Sequence, residues 1–250
     1  VSHGGDSLGT VRYLRRERVL LPSGELEDVP VLSGNMLRGV MRRLAADAWW
    51  DAVGRPRLPV GVVHAIWNGG SLAVSGAKVL SFDQLVRLQE VCPVVGLFGS
   101  AGSGRIINGC VTVGKGVPLC EEAQHLLPAV HAERVGVSMW DLTQVEYYSR
   151  HPGGPVAQDA GEAAHADGLM RFGVETFVAG SEFSWTVAAS FPSLVEESLL
   201  SEVLGAFMQG VTVGGRGAAG LGRVRAVWDG FDCDSEGAGG DCDGVGDGAV

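Results

Sequence analysis

The residues best placed to do chemistry are arginines and glycines. Asn35, Arg38 and Arg42 recur at helical spacing opposite the apolar set Leu37, Val40, Met41, Leu44 and Ala48, with Arg43 beside them. Ser33 precedes that stretch in the N-cap position. A helix N-terminus presents unpaired N–H groups to anions, and guanidinium forks grip phosphate bidentately. The same run also reads as a plain solvated helix face. Near the other end of the chain, VTVGGRGAAGLG (residues 211–222) places a run of bare backbone N–H groups around Arg216, with Arg223 and Arg225 after it. Glycine has no Cβ, so such a loop can approach a phosphate backbone closely; it can equally be a flexible connector.

The known nucleotide motifs fail on context. Gly215-x-Gly217-x-x-Gly220 spells the dinucleotide fingerprint, which needs a strand before it and a helix after it; here the order is helix, loop, strand. Gly99 and Gly104 have P-loop spacing, but Arg105 and Ile106 stand where Lys and Ser/Thr are needed. His3, His64, His125, His131, His151 and His165 are scattered, without HExxH or zinc spacing. The stretch from Asp232 through Asp243 resembles an EF-hand loop but has no flanking helices and ends in Asp. A Gly-x-Ser-x-Gly elbow is absent. No catalytic constellation, metal site or cofactor is expected.

The elements that must position these residues belong to a mixed α+β chain. Its 250 residues suit about one large domain, and 46% hydrophobic against 19% charged residues suits a packed one. Residues 1–10 read as a glycine-rich loop, and 11–32 as short extended pieces around the Pro22–Gly24 turn. Helices are expected from Ser33 to about residue 52, over 59–67, over 81–91 with Pro93 closing it, and from the Ser193/Glu196 capping box to Gly210. Strands are expected near 72–74, through 106–113 and over 223–228, with 170–178 and 183–189 as the arms of a hairpin. Residues 149–168 have turn composition and no apolar period, which marks an exposed loop or insertion starting around 140.

The net charge of −10 belongs mostly to the tail. From Asp229 onward there are seven acids and no base, leaving 22 acids against 19 bases in the body. Seventeen of those bases are Arg, and nine of them lie before residue 58, so the N-terminal part is locally basic. Residues 229–250 read as an acidic, Gly-rich disordered tail. Five cysteines without a CxxC pair favour a reducing, cytoplasmic setting. No apolar run approaches a membrane span.

Three strings, in order, carry a resemblance: SGNMLRG (residues 33–39), VGLFGS (95–100) and GGRGAAGLGRV (214–224), with SHGG (2–5) before them. Residues 2–228 resemble the RAMP superfamily of CRISPR-associated proteins. Within it the chain is most similar to the backbone (Cas-seven-like) subunit of an effector complex, in its type IV form. The resemblance implies an RRM-like, ferredoxin-type core over 1–228, CRISPR RNA as ligand, and target nucleic acid engaged by guide pairing. It also implies copies of the chain in a filament alongside other CRISPR effector subunits, without a membrane. The RNA-binding residues it implies are His3, Arg12, Arg15, Arg16, Ser33, Asn35, Arg38, Arg42, Arg43, Gly214, Gly215, Arg216, Gly217 and Arg223.

Two departures from the family follow. Its opening strand precedes the His-Gly-Gly loop and Val1 leaves no room for it, so the first strand is expected to be missing or truncated. Type III relatives cleave target RNA with an Asp in the loop before the first helix. The matching stretch, residues 9–16, has no acid, and Asp6 is the nearest. A non-catalytic subunit is therefore expected, against the alternative of a metal-dependent target-RNA endonuclease using Asp6. A less repetitive RAMP subunit capping such a complex is the third reading.

Overall fold

The computed structural model describes residues 4–72, 79–150 and 170–229. The chain opens with two hairpins, β1 (Gly4–Leu8) with β2 (Val11–Leu14) and β3 (Arg16–Leu20) with β4 (Leu26–Pro30). Four helices follow: α1 (Gly34–Ala52), α2 (Val60–Asn68), α3 (Phe82–Val91) and α4 (Pro93–Phe98). Then come β5 (Ser100–Gly102), β6 (Arg105–Ile107), β7 (Val111–Val113), β8 (Val117–Pro118) and the short α5 (Ala129–Ala132). The long strands β9 (Thr143–Arg150) and β10 (Met170–Phe177) precede β11 (Phe183–Ser184) and β12 (Val187–Ala189). The described part closes with α6 (Leu194–Gln209), β13 (Val211–Thr212) and β14 (Arg223–Val224).

The main sheet has the order β1-β2-β10-β9. β2 runs parallel to β10, and β9 pairs antiparallel with β10 along its full length. The remaining strands form two-stranded pieces. The core lies beneath α1, α4 and α6, where Met41, Val94, Val95, Leu97, Phe98, Val203 and Phe207 are almost fully buried. Phe207 also joins Trp185 and Trp228 in an aromatic cluster with centroids 4.9–6.3 Å apart.

The mixed α+β class agrees with the sequence reading, as do α1 with its Ser33 cap and α6 with its reciprocal Ser193–Glu196 capping box. Several details differ. Residues 4–8 form an edge strand instead of a loop; all five are exposed, so no buried face marked them. Pro93 ends α3 and also opens α4, because a proline at the first helical turn forfeits no hydrogen bond there. The strand expected over 106–113 is two short strands, and the one over 223–228 covers only β14. β10 does not pair with β11 or β12, which turn back to β8 and β7. β9 falls where an insertion was expected to begin. Residues 151–169, the rest of that insertion, lie outside the described residues, as do 73–78, His3 and residues 230–250 of the tail.

Candidate nucleic-acid interface

The arginines of α1 divide into buried and open ones. Leu37, Val40, Met41, Ala45 and Ala46 are buried as expected, but Arg42 is buried with them, 9% exposed. Its Nη2 donates to the Phe98 carbonyl at 2.5 Å and its Nη1 to the Gly99 carbonyl at 2.9 Å, with longer bonds to Ile66 and Ala65 at 3.4 and 3.5 Å. These carbonyls end α2 and α4, where the last turn of a helix has acceptors without intrahelical donors and the dipole is negative. The Arg42 guanidinium also sits 5.6 Å from the Phe98 ring. Burial lowers its pKa to about 10, helped by the nearby charge of Arg38, so it remains a cation at neutral pH.

Arg38 works on the same seam, donating to the Phe98 carbonyl at 2.7 Å and the Val111 carbonyl at 3.2 Å. The expectation that Arg42 lies on the polar face of α1 is therefore corrected, and Arg38 is half-buried. They tie the SGNMLRG helix to the VGLFGS segment. Gly34 completes the junction: a Cβ there would stand 2.5 Å from the Val113 carbonyl oxygen, so only glycine lets the helix start so close to β7. Ser33 accepts the Met36 N–H as the cap of α1. The open edge of α1 is instead Asn35, Arg43 and Asp47.

Of the N-terminal arginines, Arg12 and Arg15 are exposed and have no ion pair with a described residue. Arg16 is engaged. It pairs with the buried Glu175, donates to the Asp28 carbonyl at 3.3 Å, and lies 5.5 Å from the Trp140 ring. Glu175 also accepts the Leu14 N–H at 2.8 Å, so this pair locks the end of β2 against β10.

The glycine loop joins β13 to β14, and residues 214–220 are exposed throughout. Gly214, Gly220 and Gly222 have left-handed backbone, and so does Arg216, with φ 63° and ψ 30°. That conformation is uncommon for a residue with a Cβ. The Arg216 side chain lies over two rings of the main sheet, 4.7 Å from the Tyr148 centroid and 4.8 Å from that of Phe172. Those residues are cross-strand partners on β9 and β10, with rings 5.7 Å apart and nearly parallel. The Tyr148 hydroxyl donates to Glu146 at 2.7 Å, a bond that raises the phenol pKa while the Arg216 charge opposes the shift. Arg12 faces Val174 in the register, two residues from Phe172, so it shares this side of the sheet. Arg223 is exposed on β14 beside the loop.

The structure thus gathers Arg12, Gly214, Gly215, Arg216, Gly217 and Arg223 around one sheet face and its glycine loop, and sets Arg38 and Arg42 apart as internal fasteners. Tyr148 and Phe172 were missed in the sequence. The signal for Tyr148 was the alternation in TQVEYYSR, next to a stretch of turn composition, whereas Phe172 lies in the strand expected over 170–178 with no role given to its ring. Asp6 lies exposed on β1. Among the described residues, no group of three or more His, Cys, Asp or Glu side chains could hold a metal ion. No helix among them is long and apolar enough to cross a membrane.

Comparison with known proteins places the fold. No family model matches the chain, and no curated protein matches it. Among solved structures, a chain of a Type IV-B CRISPR Complex matches with a TM-score of 0.60 and 24% identity, covering 92% of this chain and 84% of that one. Nearly the whole chain therefore shares the fold of a protein chain in a type IV-B CRISPR complex.

Proposed function

We propose that this chain is a CRISPR RNA-binding backbone subunit of a type IV-like effector complex, non-catalytic, which polymerises along the guide and holds it for target pairing. The observation that carries the reading is the set of exposed arginines around the glycine loop, without an ion pair among the described residues, on a fold shared with a chain of such a complex. The order β2, α1, β9, β10, α6, with β10 between a parallel and an antiparallel neighbour, suits an RRM-like, ferredoxin-type core. Phosphate contacts of this kind position a strand without reading its sequence, and base pairing supplies the sequence. Copies of the chain, other CRISPR effector subunits and target nucleic acid are the further partners of this reading.

The test is whether purified protein carries cellular RNA, binds added CRISPR RNA and forms repeating particles on it in electron micrographs. RNA-free protein that ignores CRISPR RNA sinks the proposal; single particles of fixed size bearing one copy would make it a capping subunit.

The non-catalytic part rests on the stretch 9–16, whose side chains carry cations and no carboxylate to hold or orient a divalent ion. Assembled protein and guide should leave labelled complementary RNA intact in magnesium or manganese. Regularly spaced cuts that vanish in Asp6→Ala would make the subunit a nuclease.

A further inference from the structure

The pair Tyr148 and Phe172 has a character that phosphate gripping does not explain. Neither ring belongs to the apolar core, although both stand half-buried on the main sheet. Their cover is a guanidinium nearly equidistant from both, brought in by a loop from the far end of the sequence. That guanidinium hangs from a residue in left-handed backbone with a glycine on either side. Such a contact can be released by small backbone rotations, since Gly215 and Gly217 impose little on the chain around it. Glu146 fixes the edge of one ring: it accepts from the Tyr148 hydroxyl at 2.7 Å and from Thr176 at 3.3 Å. The platform is thus held from beneath and loosely covered from above.

We infer that the Tyr148–Phe172 stack is a nucleobase platform, on which one unpaired base of single-stranded RNA stacks under or in place of the Arg216 guanidinium. This rests on the RNA-binding reading above and adds the base, as distinct from the phosphate, as a ligand. The chemistry is general. Every base has a π-face that stacks on an aromatic ring, and a guanidinium stacks on bases as well as on rings, so the site tolerates any sequence. Arg12 on the same side of the sheet and Arg223 beside the loop supply cations for the flanking phosphates. A platform without nearby cations would be a poor RNA site, and cations without the rings would bind a bare sugar-phosphate chain as well as RNA.

That last contrast is the experiment. The full chain is titrated with two oligomers of equal length and charge, one single-stranded RNA and one abasic, at fixed salt. The RNA should bind about tenfold more tightly, the size of one base–aromatic stack. Replacing both rings, Tyr148→Leu with Phe172→Leu, should bring the RNA down to the abasic affinity, whereas Tyr148→Phe keeps the preference. Independently of any variant, 5-iodouridine RNA should photocrosslink to Tyr148 or Phe172 in the unaltered chain. Equal binding of the two oligomers, with crosslinks elsewhere, overturns the platform and leaves RNA binding standing. Failure of both oligomers to bind overturns the RNA-binding reading and the platform with it.

Discussion

Arg42 and Arg216 carry the same guanidinium, yet their surroundings are opposite. Arg42 lies inside, with the carbonyls of Ala65, Ile66, Phe98 and Gly99 as acceptors and the Phe98 ring alongside. Arg216 lies outside, on a glycine loop, with two rings and no ion pair among the described residues. A buried cation is costly unless its donors are satisfied, and here the ends of two helices supply both the acceptors and the negative field. The exposed cation keeps most of its donors in water, where a phosphate can take them at little cost. One guanidinium is thus taken up by the fold and the other left open to solvent, and the neighbouring carbonyls decide which.

The largest effect should come from Arg42→Ala. It leaves the Gly99 carbonyl without its side-chain donor, takes one of two arginine donors from the Phe98 carbonyl and opens a cavity against the Phe98 ring, at a cost of about 3 kcal/mol. For a chain of this size that lowers the melting temperature by roughly 10 °C. Arg42→Lys should restore little, because one ammonium cannot reproduce a planar fork reaching both helix ends. Stable Arg42→Ala protein with weakened RNA binding would break the comparison. Arg38→Ala should cost about half as much, since its side chain is only partly buried and makes two carbonyl bonds. Denaturant unfolding of the two variants checks this order.

What the sequence disclosed follows from how local each signal is. The Ser33 cap, the Ser193–Glu196 box and the periods of α1 and α6 involve residues within a turn or two of one another, and all were legible. Arg42 was misplaced because a helical wheel groups it with Asn35 and Arg38. The carbonyls that capture it come from Ala65 to Gly99, and nothing within α1 announces them. The partners of β11 and β12 likewise lie far back in the chain, at Pro118 and Val113, so adjacency suggested a hairpin that does not form. The Arg216 loop was legible as a feature, but its landing place on Tyr148 and Phe172 depends on the β9–β10 register, which no short-range period encodes.

Arg216→Ala should reverse the pattern of the buried pair. Loss of two exposed cation–π contacts changes stability by about 1 kcal/mol or less, so melting hardly moves. RNA affinity should fall by a similar factor for unrelated guide sequences, because a phosphate contact carries no sequence information. The log–log salt dependence should become shallower by roughly 0.7, the single-strand value for one contact. An unchanged slope would mean that Arg216 touches no phosphate and serves only the rings.

The smallest effect should come from removing residues 231–250. The segment carries Asp232, Asp234, Glu236, Asp241, Asp243 and Asp247 without a base, and it follows the strand that bears Arg223. Its charge has the sign of the RNA backbone, so it should oppose RNA binding at the exposed arginines. Between solvated charges that repulsion decays over about 8 Å at physiological ionic strength and about 30 Å at 0.01 M. Truncation should therefore tighten RNA binding slightly in ordinary buffer and more strongly at low salt. Parallel titrations of the whole and shortened chains at the two ionic strengths measure the difference. Weaker binding after truncation would show that the segment contributes contacts to the RNA. A gain of equal size at both salts would point to steric obstruction, since charge repulsion cannot ignore screening.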